Sequence, residues 1–237
     1  MAQLELAGRA GTTPRHLSFV ETGRSRPGRE LVLRFAEALD VPLRERNALL
    51  VAAGFAAEFP ERALDDAVMS PVRFVLDRML RAHEPYPAWV FRRGFVVVDS
   101  NRAAEGLFPG LSQMNPEAIV DQWFGPGPFR ALVENWHEVV LAGVLALRRD
   151  AARCSDATLD ALLRRAEGHA AAIAPGPAPM HDGPVACPRF RVGDRTVRTI
   201  SSVMRFDTAV EITASELRIE LMFPADDDSE QFFRART

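Results

Sequence analysis

Helix-terminating glycine and proline residues divide the first 57 residues into short segments of helical periodicity. This spacing restricts the region to a bundle of short helices. Apolar residues over 4–10 recur on one helical face until Gly11, a residue type that commonly ends a helix. Thr13 and Pro14 follow, and these are the residue types of an N-cap and a first helical turn. Because Gly23 ends the second segment, the spacing predicts two short helices joined by a tight turn.

Two further helices are predicted before a polar segment with the composition of a linker. Apolar residues over 31–39 follow helical spacing, Asp40–Pro42 interrupts them, and a fourth helix over 43–53 is closed by Gly54. The segment that follows is charged and interrupted by proline. The domains that we expect are a helical domain over 1–57, a linker over 58–69 and a second domain over 70–237.

The second domain alternates between the helical period and the two-residue period of strands. Asn101, Asn115 and Asp156 stand where helices would begin, and Gly193-Asp194 predicts a hairpin turn. A loop rich in proline and glycine covers 175–188. Helical patterns cover 70–80, 102–108, 129–147 and 157–170, and strand-like patterns cover 89–91, 95–98, 189–192, 195–206 and 217–223. The expected fold class is therefore α+β with an antiparallel sheet.

Length and composition exclude several classes of protein. The chain of 237 residues has 47% hydrophobic and 26% charged residues, which are ordinary values for globular domains. Its longest apolar run, 139–147, is far shorter than the roughly 20 residues of a membrane span, and no secretory signal is recognisable. Cys154 and Cys187 lack partners at metal-ligand spacing, which argues against a disulfide scaffold or a zinc finger. We expect a cytoplasmic protein without a membrane partner.

Positive charge is concentrated at the beginning of an otherwise acidic chain. All 29 basic side chains are arginine, and the formal net charge is −3. Residues 1–50 contain eight arginines against six acids, whereas residues 51–237 contain 21 arginines against 26 acids. Such a basic region suggests an anionic partner, although a solvated charged surface is the simpler explanation of charge alone.

The two short helices and the arginine-rich loop after them have the layout of a helix-turn-helix. In that motif the N-terminal turn of the second helix enters the major groove of DNA. Arg15 and His16 lie in this turn, and an arginine there can form two hydrogen bonds to guanine. Arg24 and Arg26 are placed to contact phosphates. The alternative from spacing alone is an ordinary helical hairpin with solvated arginines.

Several segments of the chain resemble known families. Gln3–Ala7, Gly11–Thr13 and Arg15–Pro27 resemble the repressor-type (XRE) helix-turn-helix. The segments 83–88, 99–104, 135–136 and 212–226 resemble the ligand-binding half of the MmyB-like transcription regulators. The resemblance covers nearly the whole chain, and the combination of both halves is more specific than either half alone.

This resemblance implies an XRE-type DNA-binding domain followed by a PAS-like sensor for an apolar small molecule, with a fatty acid as the suggested ligand class. It gives a DNA-contact role to Gln3 on the first helix, and to Pro14, Arg15, Ser18 and Phe19 on the recognition helix. With the residues inferred from spacing, the candidate DNA-binding residues are Gln3, Thr13, Pro14, Arg15, His16, Ser18, Phe19, Arg24 and Arg26.

The chain departs from the family pattern at its beginning. That pattern has a further helix before the Gln3–Ala7 segment, and here only Met1 and Ala2 precede it. One interpretation is an incorrectly assigned start. The other is a truncated protein without autonomous DNA binding, which binds ligand or forms dimers through its second domain.

The second domain is rich in aromatic and apolar side chains that fit either a pocket wall or an ordinary core. A sheet with helices over one face often leaves a cavity between them. The candidate ligand-binding residues are Trp89, Phe91, Phe108, Trp136, Met204 and Phe206. Arg92, Arg102 and Arg205 are candidate partners for the carboxylate of an acidic ligand.

The sequence does not indicate an enzyme. His83, His137, His169 and His181 show no spacing suited to a metal site or to acid–base catalysis, and we expect no metal or other cofactor. The acidic run 226–228 is interpreted as a solvated tail. The expected function is a homodimeric one-component regulator that binds an operator and senses a fatty-acid-like molecule.

Overall fold

A computed structural model describes residues 2–154, 156–172 and 185–236. Contacts divide the chain into two compact units. The first contains the residues up to Ala63 with short segments at 153–155 and 207–215, and the second contains 64–152, 156–206 and 216–237. Most of the loop predicted over 175–188, and His181 with it, lies outside the described residues.

Unit 1 contains the four helices predicted from the sequence. They are α1 (Gln3–Arg9), α2 (Pro14–Glu21), α3 (Arg29–Ala38) and α4 (Leu43–Ala52). Gly11 and Gly23 have φ angles of 60° and 72°, a conformation that side chains with a Cβ atom rarely adopt. These two positions therefore end α1 and α2 as predicted.

The core of unit 1 is formed by small and branched side chains from all four helices. The buried members are Ala7, Ala10, Leu17, Leu31, Val32, Ala36 and Leu50. Alanine on α1 and α3 allows these helices to approach closely, and the leucines fill the space between the others. The predicted linker over 58–69 remains a prediction, but its first residues are attached to α4. The Asn47 side chain accepts from Glu58 N at 2.9 Å and from Phe59 N at 3.0 Å.

Unit 2 combines a five-stranded antiparallel sheet with helices, which confirms the predicted α+β class. The strands are β1 (Ala88–Arg92), β2 (Val96–Ser100), β3 (Arg189–Val192), β4 (Arg195–Met204) and β5 (Arg218–Pro224), in the order β2-β1-β5-β4-β3. The helices are α5 (Ser70–Ala82), α6 (Arg102–Leu107), α7 (Pro116–Phe124), α8 (Pro128–Leu132), α9 (Trp136–Ala152), α10 (Ala157–Ala171) and α12 (Asp227–Arg234). A further short helix, α11 (Ile212–Glu216), precedes β5 in the sequence, and its residues up to 215 belong to unit 1.

The register of the strands separates two faces of the sheet. Trp89 pairs with Glu220 and Ser201 pairs with Met222, so these side chains share what we call the aromatic face. Ala88, Val90 and Ile219 alternate onto the other side, which we call the α5 face. There they form a buried cluster with Leu76 and Leu80 of α5. Helix α5 therefore packs on the α5 face of the central strands.

The prediction of one long helix over 129–147 is wrong, because the helical conformation is interrupted between α8 and α9. Val133 adopts an extended conformation with φ −101° and ψ 115°, and it forms a β-bridge with Phe190. Glu134 N donates to Arg189 O at 2.9 Å. Pairing with β3 therefore satisfies backbone groups that a continuous helix would have used internally.

The acidic run 226–228 is part of a helix rather than a solvated tail. Asp226 is the N-cap of α12, and its carboxylate accepts from Ser229 N at 2.8 Å. Asp227 and Asp228 occupy the first turn, where negative charge interacts favourably with the helix dipole. Phe232 and Phe233 are buried and attach this helix to unit 2.

Candidate DNA-binding surface and ligand site

The beginning of α2 exposes the side chains that were predicted to face DNA. Thr13 Oγ1 accepts from His16 N at 3.2 Å, and Pro14 occupies the first turn. Leu17 is 3% exposed and anchors the helix in the core of unit 1. Thr13, Pro14 and Arg15 are exposed, while His16, Ser18 and Phe19 are partly exposed. Periodicity thus directs the apolar residue inward and the polar residues to the surface.

Arg15 and Phe19 lie one turn apart and contact each other. The guanidinium carbon of Arg15 is 5.4 Å from the centroid of the Phe19 ring. This distance is within the range of a cation–π interaction, which restricts the arginine without using its N–H groups. The free N–H groups of a positioned arginine are suited to two hydrogen bonds with one base.

Gln3 is joined to the end of the recognition helix. Its side-chain amide donates to the Glu21 carboxylate, so the beginning of α1 and the end of α2 are held together. Gln3 is itself exposed. The contact fixes the position of a side chain to which the family resemblance gives a DNA-contact role.

The arginines differ in their pairing with acids. Arg9, Arg29 and Arg44 form ion pairs within unit 1, with Glu5, Glu58 and Glu61 respectively. In the part of the chain that the structure describes, no acidic side chain pairs with Arg15, Arg24 or Arg26. These three exposed guanidinium groups are therefore available to an external anion.

Five aromatic rings form one cluster on the aromatic face of unit 2. Trp89 packs edge-on against Phe108 at 5.7 Å between centroids, and Trp123 packs against Phe129 at 4.7 Å. Phe108 also contacts Phe190, at 5.9 Å. Four of the five rings are at most 4% exposed, Trp123 being the exception. We call this set the aromatic cluster.

Only some of the predicted ligand-binding residues lie in or beside this cluster. Trp89 and Phe108 are members, and Trp136 adjoins it because its Nε1 donates to Trp123 O at 3.3 Å. Phe91 shares the aromatic face but stacks on Phe95. Met204 pairs with Ile219, which places it on the α5 face.

Phe206 likewise packs on the α5 face, against the buried cluster that contains Leu76 and Leu80, and away from the aromatic rings. Side chains alternate between the two faces along a strand, and Met204 is an odd number of residues from Ser201. The sequence of β4 could therefore have placed Met204 and Ser201 on opposite faces. Trp123, Phe129 and Phe190 are the cluster members that our six candidates missed. Their helices and strand meet only in the folded chain.

Polar groups also lie on the aromatic face. Burial raises the pKa of Glu220 to about 7, and the neighbouring Ser201 hydroxyl opposes this shift. Cys187 Sγ accepts from Ser201 N at 3.2 Å. Burial, together with the charges of Glu220 and Glu138, raises the pKa of the Cys187 thiol. A second negative charge would therefore be unfavourable at this part of the face.

The described residues do not bring together three His, Cys, Asp or Glu side chains that could hold a metal ion. His169 Nε2 lies 2.8 Å from Asp121 Oδ1, and Arg165 contacts the same carboxylate. These two partners lower the pKa of Asp121 to about 2. This group joins α10 to α7 and has the character of a structural ion pair. No helix of the described residues is long and apolar enough to cross a membrane.

Comparison with protein families gives two matches. Residues 72–235 match the model described as the MmyB-like transcription regulator ligand binding domain, and residues 1–46 match a helix-turn-helix model. The first match alone covers more than half of the chain. No curated protein matches the sequence.

Proposed function

Because the chain belongs to the MmyB-like transcription regulators, with a helix-turn-helix before its ligand-binding domain, we propose that it binds an operator and responds to an apolar acid of the fatty-acid type. The observation that supports DNA binding is a group of exposed arginines on and after α2 that pair with no acid among the described residues. Arg15 contacts a base in this proposal. Arg24 and Arg26 contact phosphates, and Gln3 contacts DNA from the beginning of α1.

The ligand class is supported by the aromatic cluster and by the family match. Each methylene group removed from water contributes about 0.8 kcal/mol, so a long chain gains affinity from contacts with rings such as Trp89 and Phe108. In this proposal Phe91 and Trp136 extend the apolar wall. Met204 and Phe206, which we expected to contact the ligand, lie on the α5 face and are not part of this wall. The carboxylate needs a basic partner away from Glu220, because the surroundings of that side chain already disfavour negative charge.

The proposal is tested by selecting genomic DNA fragments with the full-length protein and measuring affinity for the selected operator. We expect a steep decrease in affinity with salt, because arginines release counterions from phosphates. We also expect saturated fatty acids to change operator affinity with an optimum of chain length, since a closed site stops gaining once it is full. Absence of any preferred sequence would favour a protein without autonomous DNA binding. Operator binding that no apolar acid alters would contradict the ligand class.

A further inference from the structure

A groove of about 340 Å³ lies in unit 2 between α6 and the C-terminal helix α12. Its lining combines apolar side chains with charged ones: Pro85, Leu107 and Phe233 with Glu84, Arg102 and Arg236. This volume is at the lower end of the range of roughly 300–1,000 Å³ that small-molecule sites occupy. The lining is therefore suited to a molecule with an apolar body and a polar head.

The apolar wall of the groove is held in place by packing. Phe233 is 5% exposed and contacts the Tyr86 ring edge-on at 5.9 Å between centroids. The Tyr86 hydroxyl donates to Glu230 Oε1 at 2.9 Å, which ties the segment before β1 to α12. A positioned wall requires little ordering when a ligand binds.

The acidic side chain of the groove already has internal partners. Glu84 Oε1 accepts from Arg102 N at 2.8 Å and from Ala103 N at 3.3 Å. Asn101 Oδ1 accepts from Ala104 N at 2.9 Å, so the first turn of α6 is capped by the protein itself. Backbone N–H groups of this turn are thus not the feature that recognises a ligand.

The two guanidinium groups of the groove lack such partners. No acid among the described residues pairs with Arg102 or Arg236, whereas the nearby Arg81 and Arg234 pair with Asp77 and Glu230. The guanidinium carbon of Arg236 lies 4.3 Å from the centroid of the Phe232 ring, which leaves the N–H groups available. Two arginines against one carboxylate give the groove a net charge of +1.

We propose that this groove holds the head of a singly charged anionic amphiphile, with a carboxylate between Arg102 and Arg236 and the first methylene groups of the chain along Pro85, Leu107 and Phe233. A monoanion balances the net charge of the lining, and arginine forms paired hydrogen bonds with carboxylates. The inference rests on the proposed function, because the ligand class is the same. It assigns the acidic head to a place outside the aromatic cluster and to residues of the α6–α12 groove.

The test compares decanoate with decanol on the full-length protein, by calorimetry below the micellar concentration. We expect the wild type to prefer decanoate to decanol, and the double variant Arg102→Gln, Arg236→Gln to lose decanoate affinity by about ten- to hundredfold. Its affinity for decanol should be unchanged. Because both arginines are exposed, the variant should keep its circular dichroism spectrum. Arg81→Gln, which removes an arginine with an acidic partner, is the control and should bind decanoate like the wild type.

The outcomes separate this inference from the proposed function. If decanoate binds the wild type and the double variant equally well, the groove is not the site, while the proposed ligand class stands. If neither decanoate nor a longer fatty acid binds the wild type, both the groove and the ligand class are rejected. If decanol binds as tightly as decanoate, the assignment of the arginines to a carboxylate is wrong.

Discussion

Among single residues, Arg15 is the one that we propose to contact a base, so its substitution should separate base recognition from general attraction to DNA. Its side chain is exposed, lacks an acidic partner among the described residues and is positioned by the Phe19 ring. We expect Arg15→Ala to reduce affinity for the operator by about 1–3 kcal/mol and to relax the preference at one base pair. Fluorescence anisotropy with a set of single-base operator variants measures both effects.

Arg24→Ala serves as the comparison. Because Arg24 is proposed to contact a phosphate, this variant should bind all sequences more weakly by about the same factor. The slope of log affinity against log salt concentration should decrease by about one. If both variants change only the overall affinity and preserve the base preference, the assignment of Arg15 to a base is wrong.

The environment of Glu220 leads to a prediction about how the stability of the protein depends on pH. Since the pKa of this carboxyl is raised from 4.5 to about 7 in the folded protein, the folded state binds the proton more tightly than the unfolded state. The free energy of unfolding should therefore fall as pH rises from about 4.5 to about 7. We expect Glu220→Gln to be more stable than the wild type by about 1–3 kcal/mol at pH 8. The two proteins should converge near pH 4, as urea unfolding at several pH values would measure.

Glu230 provides a control of opposite sign for that pH series. Hydrogen bonds from Arg234 and Tyr86 lower the pKa of this carboxyl, so its charged form is favoured in the folded protein. Glu230→Gln should thus be less stable than the wild type at neutral pH, with the difference lost as pH falls through the folded pKa. Equal behaviour of the two variants would show that the environment of Glu220 is not desolvated.

At the scale of elements, the junction of α5, β1 and α6 depends on one buried amide. Asn101 Oδ1 accepts from Ala88 N at 3.0 Å and from Ala104 N at 2.9 Å. Its Nδ2 donates to Tyr86 O at 2.8 Å and to Leu80 O at 3.3 Å. Asn101 is 6% exposed, so water cannot replace these partners readily.

We expect Asn101→Ala to destabilise unit 2 by about 2–4 kcal/mol, because four hydrogen bonds of buried backbone groups are lost. Asn115→Ala is the matched control, since Asn115 is exposed and only caps α7 by accepting from Ala118 N. It should cost about 1 kcal/mol. Denaturant unfolding compares the two, and similar losses would mean that Asn101 acts only as a helix cap.

At the scale of the whole molecule, we expect a homodimer. A helix-turn-helix reads twofold operators with paired recognition helices about 34 Å apart, which a single copy of α2 does not provide. Analytical ultracentrifugation of the full-length protein at micromolar concentration should show a dimer. The operator selected from genomic fragments should contain two half-sites about one helical turn apart. A monomer that occupies a single half-site would contradict this prediction.

Local residue types determined most of the helices and the class of the fold. The predicted boundaries of α1 and α2 are confirmed because Gly11, Thr13, Pro14 and Gly23 act through their own backbone preferences. The predicted caps of α6, α7 and α10 are confirmed as well, at Asn101, Asn115 and Asp156. Such effects depend on neighbours within a few residues, so the sequence alone reveals them.

Only the tertiary structure decided which distant residues meet. The interruption between α8 and α9 exists because Val133 pairs with Phe190, a residue 57 positions later that no local pattern connects to it. Alternation along β4 already separates Met204 from Ser201, but which of the two faces carries the aromatic rings depended on the register with β5 and on the helices that pack there. The raised pKa of Glu220 likewise depends on burial by side chains that long-range contacts bring together. A sequence pattern records local preferences, whereas burial and charge pairing exist only after the chain has packed.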